Sequence, residues 1–553
     1  MNESKIIQRC KELGCCDACC IRYLGLKIPT AYENAPQFIF KQFKVKAEPL
    51  TVRSEPGEVD VDVDKSESVT GSDTSESATG EPPAKKMRTN SICVTCIGVL
   101  QEENWPHCYT MVKDMLEKKS YECNTFACAL SAPIATMLRE RYVSLQLKEL
   151  LPDYDDKVVT PLKEAWKWSF GPRLAAHVGK TLDSGAVSPL LVTLNHEYPE
   201  DLQELEVLKA LSTSLFASRS KQRQRFTVEF TRRSVEQALR GVSLAALRAQ
   251  PAWSDGAPPV RAHAAAVSVQ CAHAPLYLGG RYVKLSRTLP QTPWVVNGLR
   301  MMHSSVQEII FEPIARLYRL SPEQTEHRLK FMSAGREDVD VRCLGDGRPF
   351  AVEVTDPQRP PSEEELQRLC EEISAGGHVT VSSLDLVTRE DLTQLKKGEE
   401  TKCKTYEALC IKLSHSEDDE LTRANGDTPV AVTARDIDNV NRYTNTSGAE
   451  RVLLQQRTPI RVLHRRPLLT RTRRIFDLSA HPVPGHPQLF VVRVRTDAGT
   501  YVKEWAHGEA GRTRPRLGDA LRARADILAL DVVSVELPWP RPQPAGRYTT
   551  VEQ

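Results

Sequence analysis

The sequence predicts an α+β protein of at least two domains, and three observations carry that expectation. The chain has 553 residues, more than one hydrophobic core supports. Short alternating runs such as Val267 to Ala272 and Val339-Asp340-Val341 are interleaved with amphipathic stretches such as Ala132 to Glu149 and Ser304 to Tyr318, so neither the strand nor the helix period dominates. Composition also shifts between segments. Ser54 to Glu81 holds nine acidic residues against one lysine, whereas Arg451 to Arg524 holds fifteen arginines and one lysine against five acids. The formal net charge of +2 hides that asymmetry. A segment as basic as the second suits a nucleic-acid face, with a solvated arginine-rich surface as the plainer reading.

Two classes are set aside early. No apolar run approaches the roughly 18 residues that span a bilayer, and the opening MNESKIIQRC lacks the apolar centre of a secretory signal. Fifteen cysteines, an odd number without an export signal, point to thiols or metal in a reducing compartment. A soluble, intracellular protein is expected.

Five cysteines fall between Cys10 and Cys20, and Cys16-Asp17-Ala18-Cys19 forms a C-x-x-C knuckle. A second knuckle, Cys93-Val94-Thr95-Cys96, follows after a long gap. Two knuckles supply four thiolates, the tetrahedral set of a structural Zn²⁺. Buried free cysteines or a redox pair are the competing readings, and Cys15 and Cys20 leave the register open. Between the knuckles, Ser54 to Thr89 is polar and acidic without apolar periodicity, so it reads as a disordered insertion. Its length adds only logarithmically to the cost of closing a metal site. The insertion ends in PPAKKMR, from Pro82 to Arg88, which has the makeup of a nuclear import signal. Further helices are expected at Asp201 to Leu215 and Arg233 to Arg240, and an edge strand at Arg223 to Phe230.

The second half holds the candidate chemistry. Ser333 to Val354 reads as a hairpin: a tight turn at Gly335, the strand Val339-Asp340-Val341, a turn at Gly345-Asp346-Gly347, and the strand Pro349 to Val354. Arg336 and Asp338 stand at its mouth, where a neighbouring arginine would keep the carboxylate ionised as nucleophile or base. A strand edge with solvated charges is the alternative. Ser362-Glu363-Glu364-Glu365 is a capping box that opens a helix over Leu366 to Ile373. Tyr406, in Lys402 to Leu409, would by itself pack in a core with its hydroxyl bonded. The basic run Arg461 to Leu468 reads as a solvated strand or a phosphate contact. Lys503, in Gly499-Thr500-Tyr501-Val502-Lys503, would by itself be a surface lysine.

Resemblance narrows these readings. Gly335-Arg336-Glu337-Asp338 resembles the G-R-x-D catalytic loop of the TruA type of pseudouridine synthase. The longer string GREDVDVR-x-LG-x-GRPFA, Gly335 to Ala351, resembles the archaeal and eukaryotic THUMP-containing tRNA pseudouridine synthases called Pus ten. The run Gly280 to Trp294, the Lys402–Tyr406 motif, the Arg461 run and Gly499 to Thr513 are similar to the same family, as are both knuckles.

The resemblance implies an accessory domain over 1–290 with zinc knuckles and THUMP, then a pseudouridine synthase domain over 291–545 with a mixed, mostly antiparallel sheet. It implies Asp338 as nucleophile, Tyr406 against the target base, Lys503 paired with Asp338, and Arg336 filling the vacated space or holding a phosphate. Arg461, His464, Arg465, Arg466 and Arg512 are implied as RNA-binding, and Cys16, Cys19, Cys93 and Cys96 as ligands of a structural Zn²⁺. Catalysis is expected to need no cofactor.

The expected reaction is isomerisation of uridine to pseudouridine at position 54 or 55, or both, of the tRNA T arm. The expected partners are tRNA and, for a second role, primary microRNA with its processing machinery. A monomer in nucleus and cytoplasm, away from membranes, completes the expectation. The rival is a non-catalytic adaptor for tRNA or small RNA. A THUMP-bearing methyltransferase would need a Gly-rich βαβ unit, and the sequence offers none.

Overall fold

The computed structural model describes residues 2–44, 92–183, 185, 187–221, 228–401, 403–416, 428–443 and 452–540. Their contacts divide between Ala272 and His273 into two units, each with its own sheet and core. The acidic insertion and the basic tetrapeptide at its end lie outside the described residues. Among the described residues no helix is long and apolar enough to cross a membrane.

In the first unit, a four-stranded sheet has the order β2-β1-β3-β4, with β1 at Thr125–Ser131, β2 at Thr181–Leu182, β3 at Leu190–Glu197 and β4 at Ala265–His273. β1 pairs with β2 and β3 in parallel, so the chain must cross over between them. Helices Ala135–Leu150 and Leu162–Val178 lie along that path, the second burying Trp166 and Phe170. Helix Arg232–Leu239 and β4 lie where the sequence places them.

Asp201 to Leu215 differs from expectation. It forms three short helices, Asp201–Leu205, Val207–Leu211 and Thr213–Lys221, instead of one. Ser212 leaves the helical region at φ −139° and ψ 53°. Glu204, in the first of these helices, is buried against Arg139. Of the strand expected at Arg223 to Phe230, residues 222–227 are outside the described set and 228–230 are in no strand.

The second unit is built on a ten-stranded sheet, mixed and mostly antiparallel as expected. Its strands are β5 (Leu276–Lys284), β8 (Leu329–Ser333), β9 (Arg342–Val354), β10 (Val379–Val387), β11 (Lys404–Lys412), β12 (Val452–Arg457), β13 (Thr470–Pro482), β14 (Leu489–Thr496), β15 (Thr513–Arg514) and β16 (Ala525–Val535). A separate two-stranded ribbon joins β6 (Val295–Val296) and β7 (Leu299–Arg300). The order is β10-β5-β9-β16-β11-β14-β13-β12-β15, with β8 beside β9. Since β5 pairs inside this sheet, the second unit begins before the boundary expected at residue 290.

Among the described residues of this sheet only the β9–β16 pairing is parallel, at Arg342 with Asp531 and Cys343 with Val532. β5 takes one edge of β9, and β16 and β8 share the other: β16 at residues 342 and 343, β8 at residues 350 to 354. The chain leaves β8 at Ser333, and residues 334–341 lie at this fork. Helices Val306–Leu317 and Glu363–Ser374 pack over β5, β9 and β10. Ser305 and Ser362 cap them, the second through the expected capping box.

The expected hairpin is therefore corrected. Val339-Asp340-Val341 is a turn, closed by the Val341 amide donating to Asp338 O at 3.1 Å. Gly345-Asp346-Gly347 does not reverse the chain but lies inside the 13-residue strand β9. The glycines serve close approach there. Gly345 has φ +59°, and a Cβ on it would stand 2.1 Å from Val533 O. Gly345→Ala is expected to cost about 2–4 kcal/mol. A thermal melt checks this against Gly376→Ala, whose added Cβ meets nothing within 4 Å.

Candidate active site and metal centre

The loop 334–341 opens into a cleft of about 910 Å³. Nine cationic side chains line it against two carboxylates, Glu337 and Asp338. That imbalance suits a polyanion with one reactive acid inside the field.

Gly335, at φ +90°, begins the loop, and a Cβ there would come within 2.7 Å of Lys404 Nζ and 3.0 Å of Arg348 Nη1. Glu337 turns inward to a buried pair with Arg348, Oε2 to Nε 2.7 Å, with both side chains at or below 1% exposure. Burial opposes the Arg348 charge, but Glu337 together with the other acidic groups around it outweighs burial, so the guanidinium stays charged. Asp338 turns the other way, into the cleft, and is one-third exposed. Adjacent acids thus have opposite roles: one anchors the loop and the other faces the cavity.

Asp338 Oδ2 accepts from Arg461 Nη1 at 2.8 Å and lies 3.7 Å from Lys503 Nζ. Lys503 stands at the start of helix Val502–His507 and binds Asp340 more closely, at 2.7 and 2.9 Å. Burial pushes the Asp340 carboxyl up, but the Lys503 bond and charge, with a backbone hydrogen bond and Lys284, together hold the group below the ordinary carboxylate range. Arg461 reaches back to Glu504, Nε to Oε1 2.5 Å, and that acid is 3% exposed. Its guanidinium also lies 6.0 Å from the Tyr501 ring centroid. The Tyr501 turn is fixed by Gln456, which accepts from Tyr501 N and donates to Tyr501 O, both at 2.9 Å.

Tyr406 sits on β11, buried, with part of its surface lining the cleft. Burial pushes its hydroxyl up to about 12, with Arg348 pulling the other way. It is therefore a neutral phenol at working pH. Arg336 is exposed at the rim and does not pair with Asp338, which corrects the expected acid–base pair. Arg465 and Arg466 line the rim as well, joined by Arg471 and Arg473 from β13. His464 is exposed but does not line the cleft. Arg512 is engaged by Glu509 at 3.2 Å and by Thr458 O, bracing the segment that leads to Arg461. The Arg461 run is a short 3₁₀ turn, Ile460–Val462, followed by a loop, not a strand.

In the first unit, Cys16 precedes helix Asp17–Tyr23, Cys19 lies within it, and Cys93 and Cys96 lie in the turn ending at Leu100. Their four sulfurs all fall within 4.8 Å of one another. A tetrahedron with metal–sulfur bonds of about 2.3 Å has edges of about 3.8 Å, and Cys16 Sγ to Cys96 Sγ is 3.8 Å. Cys16 N donates to Cys93 Sγ at 3.2 Å, and Arg22 Nη1 lies 3.7 Å from Cys19 Sγ, donors that suit thiolates. The donor set fits a metal ion, and Cys10, Cys15 and Cys20 fall outside the foursome.

Comparison with known proteins agrees with this division. The family models described as "Eukaryotic Pus10, N-terminal" and "Pus10, C-terminal" match residues 93–271 and 277–536. The chain is 32% identical over 556 residues to the tRNA pseudouridine synthase Pus10 of Mus musculus, covering 95% of this chain and 96% of that one. The chain belongs to the Pus10 family. It is also 34% identical to the proteins of the same name from Homo sapiens, over 465 residues, and Xenopus laevis, over 456. These alignments cover 83% and 81% of this chain, and 80% and 81% of the relatives.

Sequence reading of this Pus10 family member missed the Glu337–Arg348 anchor, the Arg461–Glu504 bridge, and Arg471 and Arg473. Glu504 had a signal of its own. It is one of five acids in the basic segment from Arg451 to Arg524, and an acid kept in such surroundings invites a search for its cation.

Proposed function

We propose that this protein is a tRNA pseudouridine synthase acting on uridine in the T arm, with Asp338 as its nucleophile. One observation carries the reading: a one-third-exposed carboxylate held by Arg461 and Lys503 in a cationic cleft, with Tyr406 beside it. The target nucleotide leaves its stack to enter the cleft, and the rim arginines hold the flanking phosphates. Asp338 attacks C1′ or takes the 2′ proton, and the N1–C1′ bond breaks. The freed uracil turns against the Tyr406 ring and bonds C1′ through C5 as the Asp338–C1′ ester bond breaks or, on the other route, as Asp338 returns the 2′ proton; the base then loses its C5 proton while N1 gains one. Arg336 occupies the space the base left. Tyr406, being neutral, relays a proton through its hydroxyl and adds no charge.

In the same proposal the first unit captures tRNA through a THUMP-type surface, and Cys16, Cys19, Cys93 and Cys96 hold a structural zinc ion. The purified protein is expected to carry one zinc equivalent by elemental analysis. Cys93→Ser is expected to lose that equivalent and lower the melting temperature of the first unit.

The deciding experiment is tritium release from tRNA labelled as [5-³H]uridine, using transcripts that lack uridine 54, 55 or both. Release that disappears when uridine 54, uridine 55 or both are absent supports the proposal. No release while tRNA stays bound sinks it and favours a binding adaptor.

A further inference from the structure

Strand β5 and the turn after it carry Tyr282, Lys284 and Arg287, part of the run Gly280 to Trp294 that the reaction above leaves without a role. Tyr282 and Lys284 are two residues apart on one strand, so their side chains share a face about 6.6 Å apart. They reach successive points of the loop 334–341. The Tyr282 hydroxyl donates to Glu337 Oε1 at 2.8 Å. Lys284 Nζ donates to Val339 O at 2.8 Å, Asp338 O at 3.2 Å and Leu289 O at 2.7 Å. Arg287 Nη1 donates to Asp340 O at 3.0 Å.

Lys284 differs from its neighbours in gripping the main chain of Asp338 itself. It is fully buried, and its three N–H groups meet three carbonyls, with no carboxylate in ion-pairing distance among the described residues. Burial lowers its proton affinity, with Glu337 pulling the other way. An ammonium buried without a direct counter-ion is costly, and an apolar side chain of the same length would fill the space at less cost. What an apolar chain could not do is hold the carbonyls of two successive peptide bonds, Asp338–Val339 and Val339–Asp340. Asp338 O also accepts from Val341 N, so the lysine clamps a turn that is already closed.

We propose that Lys284 is the positioning residue of the reactive loop, fixing the Asp338 main chain so that its carboxylate stands at the target C1′. The proposal rests on Asp338 being the nucleophile. Lys284→Met is expected to lower kcat about 100-fold, as misplacement of a reacting group by an ångström does, with the Kd for tRNA within about twofold. Amide exchange should quicken in the peptide spanning residues 334–342 and not across the sheet.

Lys412→Met is the control for lost stability alone. It removes another fully buried lysine, paired with Asp436 at 2.6 Å, six residues along β11 from Tyr406 and about 20 Å away. Both variants are assayed well below their melting temperatures. Wild-type kcat in Lys284→Met, or an equal loss in Lys412→Met, overturns the proposal. Should Lys284→Met not fold, Lys284→Gln carries the test. Its amide falls one atom short of the three carbonyls, so reduced kcat at unchanged Kd supports the proposal and wild-type kcat overturns it. Turnover by Asp338→Asn would remove both the nucleophile and this inference. An inactive Asp338→Asn beside a fully active Lys284→Met would remove this inference alone.

Discussion

Asp338→Asn is expected to lose at least about 10⁴-fold in kcat while binding tRNA as the wild type does. The amide matches the carboxylate in shape and can still accept from Arg461 Nη1, now 2.8 Å away. Arg461 keeps its second partner, Glu504, at 2.5 Å, and Glu337 with Arg348 still anchors the loop. The melting temperature should therefore barely move. Binding rests on rim cations such as Arg465, Arg466, Arg471 and Arg473, which the substitution leaves alone. Single-turnover tritium release gives the rate and filter binding gives the Kd. Turnover within tenfold of wild type would take the nucleophile's role from Asp338. A parallel fall in affinity would mean that the carboxylate organises the rim as well.

Arg461→Met is expected to reduce both turnover and stability, for separable reasons. Turnover falls about 10²–10³-fold because Asp338 loses its closer cation and is left to Lys503, itself engaged by Asp340. Stability falls because Glu504, 3% exposed, loses its partner. That loss is on the order of 2 kcal/mol, below the figure for a fully buried pair because Arg461 is itself 39% exposed. The double variant Arg461→Met/Glu504→Gln separates the two effects. Its melting temperature should recover while kcat does not. If Lys503→Met lowers kcat further than Arg461→Met, the lysine is the principal holder of the carboxylate, as the family resemblance implies.

The choice between those two cations shows where sequence reading stops. Capping at Ser362 was legible because both halves of its box lie within four residues. The reactive loop was legible as a motif, and the cysteine foursome followed once resemblance chose the register. Partner choice was not legible. Arg461 is 123 residues from Asp338, and nothing local tells a phosphate-binding arginine from one aimed at a carboxylate. Gly345-Asp346-Gly347 failed for a related reason. Its composition is that of a turn, but the glycines are required by Val533 O and Tyr282 O pressing from the strands on either side. Asp201 to Leu215 kept its helical character and lost its continuity, breaking where Ser212 leaves the helical region.

The placing of β16 has a consequence for how the protein is made. Ala525–Val535 is the last strand among the described residues, yet it lies in the middle of the sheet between β9 and β11. A ribosome delivers the chain from its N-terminus, so the first unit can fold while synthesis continues. The second cannot close its sheet until residue 535 has emerged. Until then β9 and β11 each present an unpaired edge, the kind that recruits strands from other chains. A premature stop between Lys412 and Ala525 would leave both edges open for the life of the product, so such fragments should aggregate and not persist as partly active enzyme.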